Sequence, residues 1–308
     1  MKTLKESLLT NTSTKVSKVS TVIKIDSWMK KNLPDNVGKY TVSQDVNADG
    51  KYVVTLHPTG RAVWPYVNLD FKGNETTNGM FVFDIDKLVR VIYISGVNVK
   101  VLDGLDGMKS HYILGIVLNN MTNLSSIAYL PPTKDFTMKN CSKIKAIKLP
   151  HTAEYGEDMH DGVSIENCYA LSSIEFVCPP TKLDIRHCPK PIKFINAPDK
   201  FGKLSFRHCS GIKNLKGLPS KLSNLEILDC NSFSSLKGDV KVIYNNLKLC
   251  NCRNFTNFKG IPTVEYTLFV ENCPITDWNV ERKGKWFNAV YKNLPAGMKH
   301  PKWGVDGY

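Results

Sequence analysis

The sequence predicts an α/β repeat solenoid with short parallel strands, and three observations carry that prediction. A column of cysteines recurs along the chain at nearly constant spacing. Each cysteine follows a short stretch in which apolar and polar residues alternate, as in a strand with one buried face. Directly before each cysteine stands Asn, Asp or His, the residue types that best tolerate left-handed backbone after glycine.

The cysteine column sets the repeat length. The differences between neighbouring members are 20, 27, 20, 21, 21, 22 and 21 residues. A period in the twenties with one strand per unit indicates a solenoid, in which each repeat packs only on its neighbours. The long interval contains an insertion at 151–161, where we expect an exposed loop, since its histidines and acids match no metal-ligand spacing. The column consists of Met121, Cys141, Cys168, Cys188, Cys209, Cys230, Cys252 and Cys273.

One repeat illustrates the pattern. Leu225 and Ile227 precede Cys230, and Phe233 and Leu236 follow it. The cysteine is then expected to be a small hydrophobe that points into the core. The polar residue before it should form the turn that leaves the strand, and its side chain should form a ladder with its equivalents. These turn residues are Asn120, Asn140, Asn167, His187, His208, Asp229, Asn251 and Asn272.

The segment from Asn140 to Pro150, Asn-Cys-Ser-Lys-Ile-Lys-Ala-Ile-Lys-Leu-Pro, resembles the cysteine-bearing leucine-rich repeats of the BspA-like type. The phrase Lys-Gly-Leu-Pro at 216–219, echoed at 259–262, is more similar to repeat proteins encoded by bacteriophages. The first nine residues also resemble leaders on some phage proteins. The repeat resemblance covers about residues 90–278. It implies a leucine-rich-repeat binding scaffold that carries no catalytic residues.

Four segments are predicted. Residues 1–35 are a leader and an amphipathic N-terminal helix, which we expect to cap the solenoid; binding to a membrane surface or a partner is the alternative. Residues 36–88 are a β-rich N-terminal cap, with a hairpin around Asn47–Gly50 that also resembles half of a calcium loop. Because Leu56 stands where that loop needs Glu, we expect a turn. Residues 89–278 are the solenoid, and residues 279–308 are an aromatic C-terminal cap.

Composition limits the compartment and the partners. The chain has 308 residues and a formal net charge of +13, which favours an acidic protein or nucleic acid as a partner. No run of 18 apolar residues is present, so we expect no membrane span, and the N-terminus has no signal-peptide pattern. Cysteines that line one core column indicate a reducing compartment. We therefore expect the cytoplasm, including that of a phage-infected bacterium, or a virion.

Known catalytic motifs are missing from the sequence. It has no phosphate-binding glycine loop, nucleophile elbow, His-Glu-x-x-His or paired Cys-x-x-Cys. Cys178 and Cys250 lie outside the core column and are candidates for accessible thiols, but nothing in the sequence marks an activating base. We therefore expect a protein that is not an enzyme and that uses no cofactor and no metal.

Basic residues at matched positions of adjacent repeats mark the predicted partner-binding site. Strand positions two, four and six residues before each cysteine should face away from the core. There, two consecutive repeats place cations and histidines side by side, and we expect a basic patch; a merely solvated charged face is the alternative. A protein partner is the first hypothesis, nucleic acid the second, and a phage structural or assembly role the third. The predicted site comprises Lys139, Lys182, Arg186, His187, Lys203, Arg207 and His208.

Overall fold

The computed structural model describes residues 40–46, 52–58, 66–70, 82–85, 91–95, 97, 99–102, 114–127, 130–149, 162–178, 180–277 and 288–292. Four features predicted from the sequence lie outside these residues. They are the N-terminal leader and helix, the turn at 47–50, the insertion at 151–161, and the tryptophans of the C-terminal cap.

The described residues form strands joined by turns. In chain order the strands are β1 (Tyr40–Val46), β2 (Tyr52–Pro58), β3 (Tyr66–Asp70), β4 (Val82–Ile85), β5 (Val91–Ser95), β6 (Val101–Leu102), β7 (Gly115–Asn119), β8 (Ser126–Ile127), β9 (Asp135–Lys139) and β10 (Ala146–Lys148). They continue as β11 (Gly162–Glu166), β12 (Ser173–Glu175), β13 (Lys182–Arg186), β14 (Lys193–Ile195), β15 (Lys200–Arg207), β16 (Lys221–Leu228), β17 (Val242–Cys250), β18 (Thr263–Val264), β19 (Thr267–Glu271) and β20 (Asn288–Lys292).

One long parallel sheet runs through the repeats. Its strand order is β20-β19-β17-β16-β15-β13-β11-β9-β7-β5-β3, and β18 pairs with β17 at its side. Strands of consecutive repeats pair in register, so that Leu183 lies opposite Leu204 and Ile185 opposite Phe206. This arrangement confirms the parallel-strand solenoid. Through β3 and β20 the sheet also extends beyond residues 89–278 in both directions.

The returning segments contain strands rather than helices. β10, β12 and β14 form a second, three-stranded parallel sheet. Within it, Ile147 is buried between exposed Ala146 and Lys148, and this alternation with period two is typical of a strand. The described residues contain no helix, so in them the helical half of the α/β expectation is not supported. The architecture they show is a β-solenoid.

The region before the solenoid contains the predicted hairpin. β1 and β2 pair antiparallel, with Val46 opposite Tyr52, which confirms the pairing expected around residues 47–50. β4 adds to β2 in parallel. β3 instead pairs with β5 and belongs to the main sheet. The β character predicted for this region is therefore confirmed, although its strands are divided between two sheets.

The cysteine column is buried as predicted. All seven cysteines of the column are free thiols in the core, each at most 2% exposed. Every thiol donates to the carbonyl oxygen two residues before it, as in Cys209 to Arg207 at 3.2 Å and Cys230 to Leu228 at 3.3 Å. Several also contact a carbonyl of the preceding repeat, such as Cys209 with Ile185 at 3.4 Å. The thiol thus serves both as a core hydrophobe and as a weak donor to the backbone.

The turn residues form the predicted ladder. Each has a positive φ, between 51° and 56°, a conformation that Asn, Asp and His tolerate. The Asn140 amide donates to Asn120 and the Asn167 amide donates to Asn140, both at 2.8 Å. Further along, the Asn251 amide donates to Asp229 at 2.7 Å. Equivalent side chains therefore link neighbouring turns along the edge of the main sheet.

Candidate interaction surface on the outer face of the main sheet

The predicted site residues lie on or beside one face of the sheet, here called the outer face because it points away from the cysteine-lined core. Leu183 and Ile185 are buried on the core side, so the residues that alternate with them along β13 face outward. Lys182 pairs with Lys203, and Arg186 pairs with Arg207. The predicted alignment of cations from two adjacent repeats is therefore present.

Asp184 is the residue that organises these cations. It lies between Lys182 and Arg186 on β13 and is only 3% exposed although it is on the outer face. Its Oδ2 accepts hydrogen bonds from Arg186, the Nε contact being 3.0 Å. Its Oδ1 lies 3.8 Å from the Nε of Arg207. Hydrogen bonding to Asp184 raises the pKa of the Arg186 guanidinium, so this arginine is held charged and in place.

Glu226 on β16 supplies the second carboxylate. The Nζ of Lys203 lies 2.6 Å from Glu226 Oε1, and Arg207 Nη2 lies 3.5 Å from Oε2. Together, Lys182, Asp184, Arg186, Lys203, Arg207 and Glu226 form what we call the charged cluster. Four cations and two carboxylates leave it with a net charge of +2. It is a mixed-charge network in which three of the four cations have acidic partners, rather than a simple basic patch.

Three polar atoms in this cluster have no hydrogen-bond partner among the described residues. They are Asp184 Oδ1, Ser205 Oγ and Arg207 Nε, all buried. Ser205 lies opposite Asp184 and also opposite Glu226, and its side chain is fully covered. An unpaired buried polar group is costly.

The two histidines lie at the edge of the outer face. The rings of His187 and His208 stack with centroids 4.6 Å apart, and both residues are exposed. His208 Nε2 lies 3.7 Å from Asp229 Oδ2. The histidines therefore flank the arginine pair but belong to the turn ladder rather than to the charged cluster.

Lys139 is separated from the other predicted residues. It lies on β9, two strands from β13, with Glu166 of β11 between them. Its Nζ forms an ion pair with Glu166 at 3.1 Å. At a strand spacing of about 4.8 Å, the backbone of Lys139 is about 10 Å from that of Arg186 and about 14 Å from that of Arg207. The structure therefore does not bring Lys139 into the charged cluster.

The outer face becomes apolar and aromatic farther along the sheet. Phe269 of β19 lies beneath two lysines, with Lys248 Nζ 5.0 Å and Lys292 Nζ 5.8 Å from its ring centroid. This cation–π group was not singled out from the sequence, although Phe269 and Lys248 stand in the same repeat position as Asp184. Aligning the repeats on that position, four residues before the cysteine, would have found it.

Cys250 is not the accessible thiol that the sequence allowed. It faces outward as expected but is 6% exposed, and its Sγ lies 3.8 Å from Glu271 Oε2. Burial raises the pKa of the Cys250 thiol to about 12. Side chains on neighbouring strands of the sheet cover it, which the alternation of β17 alone could not indicate. Cys178, the other candidate, is half-buried.

Among the described residues, no group of three or more His, Cys, Asp or Glu side chains is arranged to hold a metal ion. None of the described residues belongs to a helix long and apolar enough to cross a membrane. Comparison of the whole chain with protein-family models, with curated proteins and with solved structures gave no match.

Proposed function

We propose that this chain is a non-enzymatic repeat scaffold that binds a protein partner through the outer face of its main sheet. The observation that carries the proposal is the charged cluster itself. Its arginines, Arg186 and Arg207, are in register on adjacent strands and share the buried carboxylate of Asp184. Side chains held in one geometry before binding lose less conformational entropy when a partner arrives.

The charge pattern favours a protein over nucleic acid. Arg186, Lys203 and Arg207 each contact a carboxylate, and those carboxylates offset part of the attraction that the cations exert on phosphate. Nucleic-acid affinity depends on cations that are free to neutralise phosphates. A protein surface that offers both signs of charge complements this network better. Arginine is also among the residues that most often dominate the binding energy of protein interfaces.

The nature of the repeats and the compartment are parts of the same proposal. We assign the chain to a β-rich variant of the cysteine-bearing leucine-rich repeats; the support is the buried thiol that follows a polar turn residue in every repeat from 141 to 273. Nine cysteines that form no disulfide fit a reducing compartment such as the cytoplasm. Two of them lie close together, since the backbone N–H of Cys209 is 3.4 Å from the thiol of Cys230.

The test uses a variant that weakens the cluster without unpairing its buried carboxylate. Reversing both arginines would leave Asp184 among new negative charges, so Lys182→Glu with Lys203→Gln is preferable. Lys182 is exposed and forms no ion pair among the described residues. The control with the same change in net charge is Lys145→Glu with Lys193→Gln, two exposed lysines of the returning segments.

The three proteins are used to capture partners from the native host, and the captured proteins are identified by mass spectrometry. A specific partner should bind the wild type and the control alike, and bind the cluster variant at least about tenfold more weakly, or about 1.4 kcal/mol. Equal binding to all three proteins would refute the site. Anisotropy with DNA and RNA oligonucleotides then tests the alternative, since salt-sensitive binding lost in the cluster variant supports nucleic acid as the partner.

A further inference from the structure

Most repeats bury an apolar side chain three residues after the column residue, whereas the repeats of Cys188 and Cys273 do not. The position three residues after the cysteine is buried in the repeats on either side of Cys188. After Cys188 that position is Pro191, which is exposed. The buried equivalents are Leu124, Ile144, Leu171, Ile212, Phe233 and Phe255.

Pro191 also differs from several of its equivalents in its backbone. In four other repeats, those of Met121, Cys168, Cys230 and Cys252, the residue at this position donates its N–H to the carbonyl of the column residue and closes a tight turn. Examples are Leu171 to Cys168 at 3.1 Å and Phe233 to Cys230 at 2.9 Å. Proline has no N–H and cannot close that turn. Pro191 is exposed, and the next residue, Ile192, is partly buried and packs against the core.

A cleft of about 300 Å³ lies beside Pro191. Phe206, Ile212 and Leu218 line it together with the thiols of Cys188 and Cys209, and all five are at most 9% exposed. Gly211 keeps the two turns close: a Cβ on it would lie 2.1 Å from the carbonyl oxygen of Lys190. The floor of the cleft is therefore apolar, and the partly buried side chain of Ile192 also lines it.

Three lysines surround this apolar floor. Lys190, Lys213 and Lys216 line the cleft and are exposed. No acidic residue lines it, and none of the three lysines forms an ion pair among the described residues. In the charged cluster, by contrast, Lys203 has a carboxylate at 2.6 Å. The cleft thus combines an apolar interior with positive charge that has no partner.

We propose that this cleft binds a small anion with an apolar body, of the medium-chain carboxylate class. Its volume is at the lower end of the range of about 300–1,000 Å³ that small-molecule sites occupy, and such sites are apolar with a few charged groups that orient the ligand. The chain of the ligand lies on Phe206, Ile212 and Leu218, and its carboxylate lies among the lysines. This site is separate from the outer face and does not depend on the proposed scaffold function.

Decanoate, used below its micelle concentration, is the probe for the wild-type protein. Titration should shift the methyl signals of Ile212 and Leu218 in a methyl NMR spectrum and leave those of Ile144 and Leu171 unchanged. Decyltrimethylammonium, with the same chain and the opposite charge, should bind at least about tenfold more weakly. Absence of shifts at Ile212 and Leu218 would overturn the proposal, as would equal affinity for the cationic probe.

Two variants separate the apolar floor from the lysines. Pro191→Leu places a larger apolar side chain in the lining of the cleft and should reduce decanoate affinity at least tenfold, a change of about 1.4 kcal/mol. Lys190→Glu with Lys213→Glu should reduce it by a similar factor. The matched control is Lys143→Glu with Lys145→Glu. These lysines lie two and four residues after Cys141, as Lys190 and Lys213 lie after their own cysteines, and the core position between them is filled by Ile144. The decanoate affinity of this control should change less than about twofold.

Retained binding in the folded Pro191→Leu protein, or equal losses in the lysine variant and its control, would contradict the proposal. Should Pro191→Leu not fold, the wild-type methyl map and the two lysine variants still decide between these outcomes. A failure of this site leaves the outer-face proposal untouched, because the two tests change different residues.

Discussion

The imidazole rings of His187 and His208 stack face to face, with centroids 4.6 Å apart and planes inclined by 8°. They replace two asparagines in the turn ladder that links Asn120 to Asn167 on one side and Asp229 to Asn272 on the other. At this point ring stacking takes the place of amide hydrogen bonds. The interruption lies beside the arginine pair of the charged cluster.

Replacing both histidines by asparagine should raise the free energy of unfolding by about 1 kcal/mol, roughly the net value of one additional hydrogen bond. Asn keeps the positive φ of 51° and 52° at these positions and can bond to the ladder on either side. Urea denaturation measures the change. As a control, His187→Val with His208→Val should destabilise by about 1–2 kcal/mol per residue, because a β-branched side chain resists left-handed backbone. A valine variant as stable as the asparagine variant would contradict this account.

Asp184→Asn should lower the free energy of unfolding by about 2 kcal/mol, the typical value of a hydrogen bond to a charged group. The carboxylate is buried and contacts both Arg186 and Arg207, so its loss leaves two guanidinium groups without their shared partner. The comparison variant is Glu166→Gln, which removes the more exposed ion pair with Lys139 and should cost less than about 1 kcal/mol. Equal effects in urea denaturation would show that Asp184 does not anchor the cluster.

Cys209→Asp should destabilise the protein by at least about 2 kcal/mol at pH 7, because the column position is buried and its side chain lies against the carbonyl oxygens of Ile185 and Arg207. Burial raises the pKa of the new carboxyl above its unfolded value of about 3.9. The loss of unfolding free energy that comes from ionisation of the new carboxyl is therefore absent below about pH 4, and it grows as the pH rises toward the pKa of that carboxyl in the folded protein. Cys209→Ser, which cannot ionise, should show no such pH dependence. Thermal unfolding at several pH values checks both variants, and identical pH profiles would argue against burial.

The free energy of unfolding should fall at alkaline pH. Burial raises the pKa of Cys250 to about 12 and also raises that of Cys188, whereas unfolded thiols ionise near about pH 8.5. The folded state thus holds these protons more tightly, and that stabilisation is complete below about pH 8 and is lost as the pH rises toward 12. Cys250→Ala should reduce the slope above pH 9, as measured by urea denaturation. An unchanged slope would mean that this thiol ionises as readily folded as unfolded.

Much of the fold could be predicted from the repeat pattern. Leu225, Ile227, Cys230, Phe233 and Leu236 are all fully buried, as their spacing indicated. A single repeat cannot bury such a face alone, so the pattern requires stacking and thereby parallel strands in register. The positive φ of the turn residues was also predictable, since it follows from which side chains tolerate that conformation.

The surface could be predicted only in part. Register alone placed Arg186 opposite Arg207, because equivalent positions of adjacent repeats must lie side by side. Whether long, flexible cations repel one another or pair with carboxylates depends on which side chains reach them across the sheet. Asp184 and Glu226 reach Arg207 from the strands on either side. The predicted basic patch is therefore a network of cations and carboxylates.

The sequence by itself determined the solenoid, the buried thiol column and the polar turn ladder, because these follow from local backbone preference and from the burial of a repeated apolar face. Only the tertiary structure decided the rest. It replaced expected helices with short strands in the described return segments, covered Cys250 on the outer face, and opened a cleft where Pro191 leaves the core. Each of these depends on contacts between neighbouring repeats, and such contacts are not encoded within any one of them.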